Sequence, residues 1–132
     1  MMTIENLVET NFGIVRPTAT LGEFVKIVEK SKRNVFPVVD DDNAFLGVIF
    51  INDIREIVFK TELYETTFMN NLMFMPDVVI EINATMEEVA QKFSSSAHFN
   101  IPVLNNGKYV GFVSRANVFS AYRKLVKEFS QD

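Results

Sequence analysis

The sequence repeats itself, and this repeat constrains the fold more than any other feature of the chain. Several features of the first half recur in the second half at a spacing of 65 positions: Asn6-Leu7 and Asn71-Leu72, Thr20 and Thr85, Glu23 and Glu88, and Pro37 and Pro102. Gly47 recurs as Gly111 at a spacing of 64, because the turn before it is one residue shorter. Each copy is too small to bury a good core alone, so we expect the two copies to fold together.

Each copy opens with the pattern of a capped amphipathic helix. Thr20-x-x-Glu23 and Thr85-x-x-Glu88 are predicted capping boxes, in which the Thr hydroxyl and the Glu carboxylate each accept a hydrogen bond from a free backbone N–H. Apolar residues then follow at the spacing i, i+3, i+4, i+7, which places them on one helix face. These residues are Leu21, Phe24, Val25 and Val28 in the first copy, and Met86, Val89, Ala90 and Phe93 in the second.

Two short apolar runs follow each helix and predict a β-hairpin. The first run contains the recurring proline, at 35–39 and 101–104, and the second contains the recurring glycine, at 45–50 and 109–113. Because proline cannot donate to a strand ladder, we expect each proline at the start of its strand or at a sheet edge. Asp40-Asp41-Asp42 lacks the downstream Gly and Glu of a calcium loop, so we interpret it as a solvated turn.

A second helix is expected to close each copy, and a short leading strand is expected before each first helix. The closing helix of the first copy is predicted to start near Asn52 and to carry Ile54, Ile57 and Val58. The leading strands are predicted at Ile14-Val15 and at Val78-Val79-Ile80. The expected fold is therefore α+β, with two β-α-β-β-α copies (5–65 and 66–132) packed by pseudo-two-fold symmetry into one module spanning 1–132.

Composition excludes several classes of function. The net charge of −4 argues against a nucleic-acid partner, because phosphate binding needs a basic face. The chain has no Cys and one His, His98, so neither a thiolate metal site nor a paired-His site can form. No Walker loop and no Gly-x-Ser-x-Gly motif is present, and we expect no catalytic set and no enzyme activity. No apolar run approaches the about 20 residues of a spanning helix, and residues 1–16 do not resemble a secretory signal.

The order of these motifs resembles the cystathionine-β-synthase (CBS) domain family, in which two tandem copies form a Bateman module. The matching segments are Phe36–Asp40 with Gly47–Asp53, and Ile101–Leu104 with Gly111–Asn117. A narrower resemblance, to the C-terminal cytosolic CBS pair of bacterial CLC-type chloride channels, rests on 31–40, 53–59, 111–114 and 122–124. It implies a homodimeric regulatory domain on the cytoplasmic side of the inner membrane, attached to a transmembrane chloride channel domain.

The resemblance also implies a ligand and its contacts. In this family a Ser/Thr and an Asp after the second strand bind the ribose of a nucleotide, and backbone groups before the proline run bind the adenine. AMP, ADP or ATP is therefore the implied regulatory ligand, and no cofactor is required. Mapped onto this chain, the contacts are Asp53 with Val79 and Asn100 in one cleft, and Ser114 and Asn117 with Val15, Asn34 and Val35 in the other. Candidate phosphate partners are Arg33, Arg55 and Arg115.

Both predicted clefts depart from the family pattern. Phe50 stands where a Ser/Thr is expected near Asp53, and Asn117 stands where the Asp is expected near Ser114. Asp53, Ser114 and Asn117 also fit plain roles at helix starts. Two functions therefore stay open, an adenine-nucleotide sensor that controls an attached chloride channel and a ligand-free dimerisation scaffold. Dimerisation would use exposed apolar helix faces, for which the candidates are Ile54, Val58, Phe119 and Tyr122.

Overall fold

The computed structural model describes residues 3–129, and the ends of the predicted module, residues 1–2 and 130–132, lie outside the described residues. The described residues form two compact units. The first unit is Asn11–Asp77, and the second combines residues 3–10 with residues 78–129. Residues 3–10 therefore belong with the second copy of the repeat, although they precede the rest of the first copy in the chain.

The first unit is a helix and a hairpin around one apolar core. Helix α1 spans Leu21–Glu29, strand β1 Val35–Val39, strand β2 Phe45–Phe50 and helix α2 Ile51–Ile54, with 3-10 helices at Thr61–Leu63 and Met69–Asn71. Strands β1 and β2 are antiparallel, and the leading strand is reduced to one parallel bridge between Val15 and Val38. Phe24 and Phe36 are fully buried and pack edge to face, with ring centroids 5.2 Å apart.

The second unit repeats this arrangement with longer strands and a longer closing helix. Strand β3 spans Ile80–Glu81, helix α3 Met86–Ser94, strand β4 Asn100–Asn105, strand β5 Lys108–Ser114 and helix α4 Arg115–Phe129, with a 3-10 helix at Glu5–Leu7. The strand order is β3-β4-β5, with β3 parallel and β5 antiparallel to β4. The order strand, helix, strand, strand, helix confirms the predicted α+β copy.

The helix caps are confirmed in the first copy and half confirmed in the second. The Glu23 N–H donates to the Thr20 hydroxyl (3.2 Å), and the Thr20 N–H donates to the Glu23 carboxylate (2.9 Å). These bonds from the backbone and the hydroxyl of Thr20 lower the pKa of Glu23. In the second copy the Glu88 N–H donates to the Thr85 hydroxyl (3.2 Å), and the return bond from Thr85 is absent from the described residues.

The prolines do not lie where they were expected. Pro37 lies in the middle of β1, whose side away from β2 bonds to Val15, with the Val15 N–H donating to the Pro37 carbonyl (2.9 Å). Pro102 likewise lies in the middle of β4, which is the central strand of its sheet. The Leu104 carbonyl accepts from the Ile82 N–H (2.8 Å), and Pro102, two positions earlier, faces the same side. The missing N–H of Pro102 therefore points towards the two-residue strand β3, and the ladder to β5 loses no bond.

The closing helix of the first copy is much shorter than predicted. It ends at Ile54, and the N–H groups of Ile57 and Val58 both bond to the Ile54 carbonyl (3.0 Å each), so the chain turns instead of continuing the helix. The Tyr64 hydroxyl then donates to the Val58 carbonyl (2.6 Å) and holds this turn. Ile54 and Val58 are only 5% and 7% exposed in the core of their unit. The prediction that these two side chains form a dimer surface is therefore wrong.

Candidate functional site

The recurring glycines allow a second backbone segment to lie against each hairpin. The backbone of Glu9 exchanges two hydrogen bonds with that of Phe112 (2.7 and 3.0 Å), next to Gly111. The backbone of Phe74 does the same with Val48 (2.9 and 3.1 Å), next to Gly47. A Cβ atom on Gly47 would lie 2.6 Å from the Phe74 carbonyl oxygen, and one on Gly111 would overlap the Glu9 carbonyl oxygen. The glycines thus bring Glu9 and Phe74 beside the strands that lead into the closing helices.

A polar cluster forms at the start of α4 in the second unit. The Ser114 hydroxyl, at the end of β5, accepts the Asn117 N–H (3.1 Å). The Asn117 side-chain NH2 group faces a Glu9 carboxylate oxygen at 3.5 Å, which is a long hydrogen bond. Ser114 and Glu9 are partly exposed and Asn117 is exposed, so solvent reaches the cluster. The cluster therefore presents a hydroxyl, an amide oxygen and a carboxylate within one unit.

The equivalent positions in the first unit are largely aromatic. Phe50 takes the place of Ser114, and its ring packs on that of Phe74 with centroids 5.6 Å apart. Asp53 takes the place of Asn117; it is exposed and has no hydrogen-bond or ion-pair partner among residues 3–129. Helix α2 has only four residues, so it adds little favourable dipole at Asp53. This position keeps the carboxylate of the family pattern without the hydroxyl beside it.

The other predicted contacts in the first unit are mostly occupied by structural bonds. The Asn34 side chain is exposed, but its carbonyl accepts the Ile51 N–H (3.0 Å). Val35 is 4% exposed, and Val15 is fully buried with its backbone N–H and carbonyl bonded to Pro37 and Val39. Ile14, at 45% exposed, is the neighbour of Val15 whose side chain reaches solvent.

The predicted contacts in the second unit lie on β4 and just before β3. Asn100 begins β4 and pairs with Ser114 in the ladder, so these two residues share one end of the sheet. Phe99, immediately before Asn100, is 77% exposed. The Val79 carbonyl accepts from the Lys92 ammonium (3.0 Å). Each predicted cleft draws residues from both units, and those two groupings remain predictions.

Arg115 has a structural role that sequence reasoning missed. Its guanidinium donates to the carbonyls of Phe93 (2.7 Å), Ser96 (2.6 Å) and His98 (2.9 Å), which follow from the end of α3 into the loop before β4. It also lies 5.5 Å from the centroid of the Phe93 ring. These bonds use three of the five guanidinium N–H groups and hold Arg115 against this loop, and its role as a phosphate partner stays a prediction.

The described residues offer no metal site and no spanning helix. Within residues 3–129, no three His, Asp or Glu side chains come together in a group that could hold a metal ion. None of the helices in that range is both long enough and apolar enough to cross a membrane. The Asp40 carboxylate accepts the N–H groups of Asp42 and Ala44 (2.9 Å each), which supports its interpretation as a turn.

Comparison with protein families settles what the repeat is. The CBS domain model matches twice, at residues 4–60 and 70–124. This chain belongs to the CBS domain family. The two matches make it a tandem CBS pair, as the sequence motifs indicated, and the resemblance to the CBS pairs of chloride channels is left without support from this comparison.

Solved CBS structures share the fold. CBSX2 from Arabidopsis thaliana in complex with AMP is 21% identical, with a TM-score of 0.76, and the alignment covers 95% of this chain and 98% of that chain. The CBS domain of a membrane protein from Sphaerobacter thermophilus is 20% identical, with a TM-score of 0.74, and the alignment covers 91% of this chain and 87% of that chain.

A sequence relative is much longer than this chain. Homoserine O-acetyltransferase from Methanococcus vannielii is 22% identical over 116 residues, and this chain spans only 24% of its length.

Proposed function

We propose that this CBS pair is a regulatory module that binds an adenine nucleotide and controls an attached chloride channel or transporter. The observation that carries the proposal is the solvent-exposed polar cluster of Ser114, Asn117 and Glu9 at the start of α4. A CBS pair of the same fold has been solved with AMP, which supports the choice of ligand class.

The cluster in the second unit suits the ribose end of a nucleotide. A ribose presents two neighbouring hydroxyls, and each can donate to a carboxylate or an amide oxygen. Asn117 alone offers an uncharged acceptor, and the Glu9 carboxylate beside it restores the negative charge that the family pattern places on an Asp. The Ser114 hydroxyl accepts one backbone N–H and keeps its own hydrogen for a ligand oxygen.

The aromatic position in the first unit is the weaker candidate. Asp53 keeps a charged acceptor, but Phe50 removes the hydroxyl and packs on Phe74 instead. We therefore propose one nucleotide per chain, with its ribose at Ser114, Asn117 and Glu9, and with Asn34 and Val35 near the adenine as the family resemblance implies. The contacts predicted around Asp53, Val79 and Asn100 would form the weaker second cleft.

The proposed effector is a membrane protein. The support is the resemblance of residues 31–40, 53–59 and 111–114 to the cytosolic CBS pairs of bacterial chloride channels, together with a similar CBS domain that belongs to a membrane protein. In this proposal the domain lies on the cytoplasmic side of the inner membrane and acts through a homodimer. Nucleotide binding shifts the equilibrium between two conformational states of the effector. The size of this shift is set by the difference in nucleotide affinity between those two states.

Calorimetric titration with AMP, ADP and ATP tests nucleotide binding. Asn117→Ala and Ser114→Ala are expected to weaken binding at least about tenfold, because each removes a polar contact to a charged or hydroxylated ligand. Asp53→Ala is the matched control at the equivalent position of the other copy and is expected to bind as the wild type does. No heat at millimolar nucleotide would refute the sensor, and loss of binding only in Asp53→Ala would move the site to the first unit.

A dimerisation scaffold is the alternative, and one surface favours it. Val126 and Phe129, in the last turns of α4, are 46% and 78% exposed. Exposed apolar side chains on one amphipathic helix are typical of a self-association surface. Sedimentation velocity of the wild type and of Phe129→Asp tests this function. A nucleotide-independent dimer that Phe129→Asp converts to monomer, with no nucleotide heat, would favour the scaffold.

A further inference from the structure

The turn between β4 and β5 contains the one Asn-Gly dipeptide of the sequence, Asn106-Gly107. Residues 105–108 are all exposed, so water surrounds this turn. An Asn side-chain amide is a thermolabile group, because the backbone nitrogen of the following residue can attack its carbonyl carbon. Glycine hinders this attack less than any other residue, since it has no Cβ and moves through more backbone conformations. The turn therefore combines a reactive amide, an unhindered nucleophile and access for water.

The contacts of the turn leave both reacting groups unoccupied. Nothing lies within 4 Å of the place where a Cβ on Gly107 would stand. Neither the Gly107 N–H nor the Asn106 side-chain amide has a hydrogen-bond partner among residues 3–129. Asn106 is held through its backbone N–H, which donates to the Glu81 carboxylate (3.2 Å). Attack of the Gly107 nitrogen on the Asn106 amide therefore breaks no hydrogen bond of either group.

The equivalent turn of the first unit provides an internal comparison. Asn43 is exposed and takes a positive φ (66°), as Asn106 does (52°). The residue after Asn43 is Ala44, whose Cβ crowds the approach to the amide carbon. The Ala44 N–H also donates to the Asp40 carboxylate (2.9 Å), and attack by this nitrogen would break that bond. The two hairpin turns therefore differ in the freedom of the attacking nitrogen.

We propose that Asn106 is a site of spontaneous deamidation in the folded protein. The Gly107 nitrogen bonds to the Asn106 Cγ, the bond from Cγ to the side-chain nitrogen breaks, and the displaced NH2 group leaves as ammonia with the proton that the Gly107 nitrogen gives up. Water then opens the cyclic succinimide at either carbonyl, which leaves aspartate or isoaspartate at this position. No oxidant, metal or enzyme is needed for either step.

The modification alters the turn in which it occurs. The aspartate product has a new carboxylate at a residue whose backbone N–H bonds to the Glu81 carboxylate, and two like charges brought together at one turn repel. The isoaspartate product carries the backbone through its former side chain, so the main chain gains one methylene group and the pairing of Asn105 with Lys108 is disturbed. Both products therefore weaken the closed end of the β4–β5 hairpin and add one negative charge to the net −4 of the chain.

Incubation of the folded chain in slightly alkaline water enriched in ¹⁸O, followed by peptide mass spectrometry with fragmentation, tests the proposal. Ring opening by water leaves an ¹⁸O atom at the modified residue, and fragmentation assigns that atom to Asn106 or to Asn43. We expect the label at Asn106 to accumulate at least about tenfold faster than at Asn43. Asn106→Gln should remove this label, and Gly107→Ala should slow its uptake by at least about threefold.

A parallel incubation in urea separates the effect of the turn from that of the dipeptide. We expect unfolding to speed the labelling of Asn43 more than that of Asn106, because unfolding releases the bond between Ala44 and Asp40. Label at Asn106 that appears in urea and not in the folded chain would overturn the proposal, because the folded turn would then protect the amide. Equal labelling of Asn43 and Asn106 in the folded chain would overturn it as well. None of these outcomes depends on AMP binding, so the nucleotide proposal is tested separately.

Discussion

Replacing Arg115 is expected to be among the most damaging single changes at the surface of the second unit. The guanidinium ties three carbonyls, those of Phe93, Ser96 and His98, to the first residue of α4. Hydrogen bonds from a charged donor contribute about 1.5–3 kcal/mol each when they are well protected. Because Arg115 is partly exposed and its carbonyl partners can be hydrated in its absence, we assign about 1 kcal/mol to each bond.

Arg115→Met, which keeps part of the packing against Phe93, is therefore expected to lower the free energy of unfolding by about 3 kcal/mol. For a chain of this length that loss corresponds to a fall in Tm of about 10 °C. Urea denaturation followed by circular dichroism measures it. Arg55→Met is the control, because Arg55 makes one exposed bond, to the Asn52 side chain (2.6 Å), and should change stability by no more than about 0.5 kcal/mol. Equal effects of the two substitutions would refute the structural role of Arg115.

Three further predictions concern the site and its supports. Glu9→Gln is expected to weaken AMP binding about three- to tenfold in calorimetry. Adding Asn117→Asp to this variant should restore the AMP affinity, because it returns a carboxylate to the site. An unchanged affinity in Glu9→Gln would exclude Glu9 from the site. Gly111→Ala should cost more stability in urea denaturation than Gly107→Ala, because only the new methyl group at 111 overlaps another backbone segment, and the reverse order would contradict the close approach of Glu9. Since the folded-state pKa of Glu23 is lowered from its ordinary value of 4.5, its charge stabilises the fold above that value, and this stability is lost as the pH falls through the lowered pKa. The stability gap between wild type and Glu23→Gln should therefore close as the pH falls below the ordinary glutamate pKa, and a gap independent of pH would contradict the capping bond.

Local signals explain what the sequence predicted well. Thr20 and Glu23 meet three positions apart in one helical turn, so their capping box needs no distant partner. The second hairpin turn is similarly local, because Asn106 and Gly107 both take the positive φ values (52° and 83°) that a two-residue turn requires. The repeated proline and glycine motifs of the two copies are also local patterns, and they predicted a tandem pair. The family match at 4–60 and 70–124 agrees with that prediction.

Distant contacts explain what the sequence did not predict. Helix α2 stops after Ile54 because a turn closed by the Tyr64 hydroxyl replaces the next helical turn, and no pattern at Ile57 and Val58 records that bond. Glu9 reaches Asn117 across 108 positions, and the only sequence sign of this contact is the recurring glycine at 111. The structural role of Arg115 was not predicted because its three carbonyl partners lie 17–22 positions away.

The proposed nucleotide site places the ribose at Ser114, Asn117 and Glu9. Amide chemical-shift mapping of the ¹⁵N-labelled protein during an AMP titration tests this claim residue by residue. We expect saturable shifts at Glu9, Ser114 and Asn117 that are larger than those at Phe50 and Asp53. Shifts centred on Asp53, or no shift at millimolar AMP, would contradict it.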